Sequence, residues 1–193
     1  MTDQTPHRTD AAALRVLAHP TRVRLLALLR EHGPQTAAHL ATHIDEAPGT
    51  LSYHLGKLAE AGFIESAPEA RVDRRENWWR ARHELTSWSD SEVLGDPERR
   101  SASRDFQRLI GQFYATQHAA YIDSLELLEP EWIDAATTGD RVLRLTASEL
   151  GDLSAELSEL FDRWGARSAT HVPGDGSEAV ILVGQAYRKP AVT

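Results

Sequence analysis

The 193-residue sequence contains no cysteine, which removes disulfides, thiolate metal sites, cysteine nucleophiles and thiol redox switching in one step. No apolar run approaches the ~18 residues a membrane span needs, and the opening MTDQTPHRTD holds no signal-peptide core. A cytoplasmic protein without membrane attachment is therefore expected. Lysine is nearly missing: of 21 basic residues only Lys57 and Lys189 are lysine. Positive charge as a whole is short, with 29 acidic residues and a net charge of −8. Gly-rich phosphate loops, nucleophile elbows and metalloprotease motifs are also lacking, so neither an enzyme nor a bound cofactor is expected. What is present is ordinary for a globular chain: 41% apolar and 26% charged residues, enough to bury a core.

A charge of −8 argues against nucleic-acid binding until it is divided along the chain. Residues 1–86 hold 11 basic and 11 acidic side chains, and residues 87–193 hold 10 and 18, so the whole deficit lies in the second half. Seven of the nine histidines fall in the first half, where partial protonation adds positive character. Two regions with different tasks are implied, and the total does not exclude a local basic surface.

Residues 1–10 are polar and read as frayed. Four short helical patterns follow. Ala11–Ala18 carries Leu14 and Leu17. The second pattern starts at Pro20, favoured at a first helical position, and stops at Gly33-Pro34. Thr36 is suited to cap a third over Ala37–Ile44. The fourth opens at Pro48 and ends near Gly62, a glycine placed for the left-handed C-terminal conformation. Phe63–Ser66 and Asn77–Arg80 then read as strands around a polar turn at Pro68–Arg75. Four helices closed by one hairpin over residues 11–86 describe a winged helix-turn-helix.

Such a fold lays its second motif helix in the major groove of double-stranded DNA. On a helix over Pro48–Ala61, Leu51, Leu55 and Leu58 fall within about 60° of one another and form the buried face. The opposite face collects Gly49, Thr50, Tyr53, Gly56 and Lys57, with Ser52 and His54 on the flanks, and is expected to be free of acidic residues. Thr50 and Tyr53 are suited to phosphates or base edges, Lys57 supplies charge, and the glycines allow close backbone approach. A solvated face of an ordinary bundle helix would look the same in isolation. The hairpin adds Arg71, Arg74 and Arg75 at its turn, with Arg80 and Arg82 on the returning strand, a placement suited to phosphate contact or to a narrow minor groove. The candidate DNA contacts are Thr36, Gly49, Thr50, Ser52, Tyr53, Lys57, Arg71, Arg74 and Arg75. Trp78 and Trp79 point to opposite sides of their strand, one towards the core.

Three segments occur in order: His19-Pro20-Thr21-Arg22-Val23-Arg24-Leu25-Leu26, then Thr50-Leu51-Ser52-Tyr53-His54-Leu55-Gly56-Lys57-Leu58, then Glu60-Ala61-Gly62-Phe63-Ile64-Glu65. They resemble the ArsR-type winged-helix repressors, and Arg75-Glu76-Asn77-Trp78-Trp79-Arg80 is similar to the wing strand of an actinobacterial branch. The resemblance covers roughly residues 11–86 and implies a dimeric, operator-binding transcriptional regulator. Two positions depart from the pattern: Ala47 stands where a capping residue is usual, and Gly56 where a basic residue is more frequent. The second half is longer than the minimal family form and looks like an extended branch.

Linker-like sequence at Ser87–Asp96 separates the winged region from residues 97–193, assigned to dimerisation and effector binding. A long helix is expected over Pro97–Leu128, with Phe106, Ile110, Phe113 and Tyr121 on one stripe. Packing against a twin would cover that stripe, and operator half-sites require a two-fold dimer. Val142–Leu145 and Ala179–Tyr187 read as strands, plausibly paired with each other. Thr146-Ala-Ser-Glu149 is a capping box opening a helix whose stripe includes Leu150, Leu153, Leu157, Leu160, Phe161 and Trp164. The expected class is mainly α with small β hairpins (α+β): a winged helix-turn-helix followed by a helical region with a small sheet. Trp132, Trp164, Tyr114 and Tyr121 could line a pocket for a small hydrophobic effector, or form a core or dimer interface. His39 and His43 could form half of a metal site but have no second pair, so no metal is expected. The leading function is a homodimeric DNA-binding regulator, most simply a repressor. The alternative is a winged-helix protein–protein interaction module without DNA binding.

Overall fold

In the computed structural model, the described residues are 7–8, 11–70, 76–83, 86–87, 95–172 and 174–191. The chain divides into two compact units, Met1–Ala120 and Tyr121–Thr193. In the first, α1 (Ala11–Leu17), α2 (Pro20–His32), α3 (Ala37–Leu40) and α4 (Pro48–Glu60) precede a small sheet, and most of α5 (Pro97–Ser124) follows it. Pro20 and Pro48 each open a helix, as their fixed φ and missing N–H favour. α3 is shorter than the sequence suggested, giving way to a turn after Leu40. Gly62 ends α4 with φ +78°, the left-handed conformation that glycine adopts without a Cβ penalty.

The sheet has three antiparallel strands in the order β2 (Gln35–Thr36), β4 (Trp78–Ala81), β3 (Ile64–Ser66). A two-residue strand such as β2 has no readable alternation, and the sequence did not reveal it. A second, parallel pair joins β1 (His7–Arg8) to β5 (Thr86–Ser87), inside the stretch expected to be frayed. Leu25, Leu40, Leu51, Leu55 and Leu58 are fully buried in one core. Trp79 packs partly against that core, whereas Trp78 sits edge-on to His39 at 5.3 Å between ring centroids.

The first turn of α5 is capped by Asp96, whose Oδ1 accepts from the backbone N–H groups of Glu98 and Arg99 at 2.9 and 3.2 Å. Its next turns bury Ala102, Ser103 and Phe106, with Phe106 in the winged-helix core. Much of the apolar stripe of α5 is thus covered by its own chain.

The second unit holds α6 (Pro130–Ala135) and α7 (Ala147–Ser168). The capping box is complete: Thr146 Oγ1 accepts from the Glu149 N–H at 3.2 Å, and the Thr146 N–H donates to Glu149 at 2.7 Å. The Thr146 N–H and the Thr146 hydroxyl, which donates to the same carboxyl oxygen at 2.8 Å, hold the Glu149 carboxyl below its ordinary pKa. Neither Val142–Leu145 nor Ala179–Tyr187 forms a β-bridge with any described residue, so the expected strand pair is not formed. A ladder needs paired backbone hydrogen bonds, and among the described residues none joins these two segments. Among the described residues, no helix is long and apolar enough to cross a membrane.

Candidate nucleic-acid interface

α4 is fixed by one face and open on the other. Leu51, Leu55 and Leu58 anchor it in the core, while Thr50, Ser52 and Tyr53 are exposed, Tyr53 at 59%. Gly49 is exposed as well, and a side chain added there would meet no other atom within 4 Å. Ser52 donates its hydroxyl to the Pro48 carbonyl at 2.8 Å. Ala47, at the N-cap, makes no side-chain cap bond; Pro48 carries no N–H, and the Thr50 N–H donates to the Ala47 carbonyl at 2.9 Å.

Two expectations for the interface are corrected. Glu60 lies on the open side, exposed, and accepts a hydrogen bond from Lys57 Nζ at 2.6 Å. The face is not free of acidic residues, and Glu60 holds Lys57 above its ordinary pKa through that bond and its charge. Thr36 is buried at 4% exposure, and its Oγ1 accepts from the His39 N–H at 3.1 Å. Its side chain caps α3 and presents little surface to DNA.

His54 is not on a flank but in the interior, 6% exposed. Arg22 Nε donates to its Nδ1 at 3.3 Å, its Nε2 lies 3.9 Å from Glu46, and its ring centroid is 4.5 Å from that of His19. Arg22 also donates to the Val16 carbonyl at 2.7 Å, and Thr21 donates to Glu46. This cluster ties the end of α1, the start of α2 and the turn before α4 to the middle of α4. Burial, then His19 and Arg22, push the His54 pKa below its ordinary value, with Glu46 opposing them. Sequence reasoning assigned these residues no positioning role, although His19, Thr21, Arg22 and His54 all stand in the segments that carried the resemblance.

Arg71, Arg74 and Arg75 lie outside the described residues. Of the strand arginines, Arg80 pairs with both Glu65 and Glu69, and Arg82 approaches Glu65 at 3.5 Å. Those acids raise the Arg80 pKa. Arg80 and Arg82 are therefore engaged within the wing.

The candidate dimer residues separate. Phe106, 2% exposed in the core, has almost no surface to give a partner. Ile110 and Phe113 pack partly on the same core, and Tyr121 is half-buried. Trp132, Trp164, Tyr114 and Tyr121 line neither the depression along Pro97–Arg108 of α5 nor the one between Leu143, Leu145 and α7. Trp164 instead lies exposed beneath the Arg167 guanidinium, 5.3 Å from its centroid. His39 is engaged by Trp78, and His43 stacks on His32 at 5.0 Å. No group of three or more His, Asp or Glu suited to a metal occurs among the described residues.

Residues 17–67 match the helix-turn-helix domain family. With the three-stranded antiparallel sheet, that match defines a winged helix-turn-helix domain, a class used by DNA-binding transcriptional regulators. Two solved structures are similar to the chain. One, described as a "possible transcriptional regulator for arsenical resistance", is 28% identical over 65% of this chain and 97% of its own, with a TM-score of 0.32. The other, an ArsR-like transcriptional regulator from Rhodococcus sp. RHA1, is 26% identical over 60% and 92%, with a TM-score of 0.31. Among curated proteins, none is significantly similar to this chain.

Proposed function

We propose that this chain is a homodimeric, sequence-specific DNA-binding repressor that inserts α4 into the major groove and uses the hairpin of residues 63–82 as its wing. The observation that supports this most is the division of α4: one face is locked by leucines and the His54 cluster, and the other presents Thr50, Ser52 and Tyr53 to solvent. A helix held this firmly with a polar open face is built to present side chains to a rigid partner. Two copies are required because each α4 reads one half-site. Ile110, Phe113 and Tyr121 on α5 are the residues proposed for one seam.

The Lys57–Glu60 and Arg80–Glu65 pairs favour a second reading, a winged-helix module that binds protein instead of DNA. Salt separates the two. A DNA-binding protein loses affinity steeply with rising salt, with a slope set by the phosphates it neutralises. On the leading reading, Lys57→Ala and the double substitution Arg74→Ala/Arg75→Ala weaken binding to all sequences and flatten that slope. Thr50→Ala and Tyr53→Ala change sequence preference instead. Binding that is absent, or independent of salt, overturns the reading. An unchanged affinity in the Arg74/Arg75 double variant removes the wing from it.

A further inference from the structure

Among the described residues from 121 onwards, not one is buried. The amphipathic helix α7 reaches only half-burial at Leu150, Leu153, Leu157, Leu160 and Phe161. Apolar burial is the main force that holds a unit folded, and this unit has not completed any.

The surface left open is concentrated in two extended segments. Arg141–Leu145 exposes Val142 at 81%, and Ala179–Tyr187 exposes Val180 at 73%, with Ile181 and Leu182 at least half exposed. Their sequences are those of strands, and the near-continuous apolar run Ala-Val-Ile-Leu-Val suits a strand covered on both faces. Among the described residues neither segment forms a backbone hydrogen bond or a β-bridge. Long apolar edges of this kind recruit another strand unless they are blunted. Between them the two segments leave eight large apolar side chains at 43–81% exposure, and a standard interface takes about 800 Å² from each partner.

We propose that Arg141–Leu145 and Ala179–Tyr187 join the same segments of a second copy in an intermolecular β-sheet, roofed by α7 of each copy. The proposal rests on the dimeric reading above and names a seam which that reading did not include. Charge selects a second copy as the occupant. Arg141 and Arg144 lie in the first segment and Arg188 and Lys189 follow the second, all without ion pairs among the described residues. The depression formed by Leu143, Leu145 and Leu153 is bordered by Glu149, Asp152 and Glu156. One copy thus offers cationic strand ends and the other an acid-edged apolar groove, and a two-fold axis satisfies both at once. Gly184 fits this arrangement. A Cβ there would stand 3.1 Å from the Phe161 ring, so glycine lets the segment lie flat on α7.

Hydrogen exchange on the full-length protein, paired with sedimentation, tests the proposal. At a concentration where the protein is dimeric, amides of 142–145 and 180–186 should exchange about 100-fold more slowly than in an unstructured peptide of the same sequence. Dilution to monomer, or Ile181→Lys/Val183→Lys, should release both segments together while α4 amides are unaffected. A dimer with unprotected segments overturns the proposal and leaves the dimeric reading standing. Protection that persists in a monomer overturns it by showing pairing within one chain. A monomer with unprotected segments overturns both.

Discussion

Stability should fall in acid through one buried imidazole. His54 is 6% exposed, accepts from Arg22, and has its pKa lowered by burial, then by His19 and Arg22. In the unfolded chain it titrates near the ordinary value of about 6.5. Above that pH it is neutral in both states and the cluster contributes fully. As pH falls below it, the unfolded chain takes up a proton that the folded chain refuses until its own lower pKa is reached. Unfolding free energy then drops by up to about 1.4 kcal/mol per pH unit. That is readable against the roughly 5–15 kcal/mol of an ordinary domain. Replacing His54 with glutamine keeps an acceptor for Arg22 and removes the titration. Urea unfolding between pH 5 and 8 should therefore give a shallower pH dependence for His54→Gln than for the unmodified protein. Glu46→Gln should steepen it, because Glu46 is the group that favours the protonated form. Equal slopes for the unmodified protein and His54→Gln would refute the assignment of the titration to His54.

Three further outcomes follow from single contacts. Glu60→Gln should release Lys57, tighten DNA binding at low salt and steepen the salt slope by about one; an unchanged slope would place Lys57 away from phosphate. Ala47 already has the N-cap backbone conformation, φ −62° and ψ 141°, so Ala47→Ser should stabilise the winged domain by about 0.5–2 kcal/mol in denaturant titration. Leu55→Ala, at a fully buried position, should cost about 2–5 kcal/mol and lower the melting temperature by well over the shift seen for any surface change.

The helices that carry the winged domain were legible because their signals are local. Pro20, Pro48 and Gly62 mark ends by backbone geometry alone, and Thr146 with Glu149 closes a reciprocal pair three residues apart. Leu51, Leu55 and Leu58 repeat at the helical period and are all buried. What was not legible depends on partners distant in sequence. His54 sits on the margin of the helical wheel, and only the arrival of Arg22 and Glu46 makes its place an interior one. Thr36 read correctly as a cap, and that role buries the hydroxyl that was also considered for DNA. Glu60 lies in the last turn of α4, where the helix runs out against the wing, and the wheel reading passed over it. Phe106 followed the stripe of α5 correctly, but periodicity does not say which neighbour covers a stripe, and here the winged core does.

The ion pairs on the first unit bear on how fast a polyanion would find it. Lys57 is matched by Glu60, Arg80 by Glu65 and Glu69, and Arg15 by Glu98. A cation with its anion a few ångströms away acts at a distance as a dipole, and its field is spent within a screening length of about 8 Å in physiological salt. These paired cations therefore exert little long-range pull. An encounter guided by them alone would proceed near the unsteered rate of about 10⁵–10⁶ M⁻¹s⁻¹, far below the 10⁸–10⁹ that strong fields reach. Residence time on the bound site, more than speed of arrival, would then set occupancy, and substitutions at α4 should be felt chiefly in dissociation.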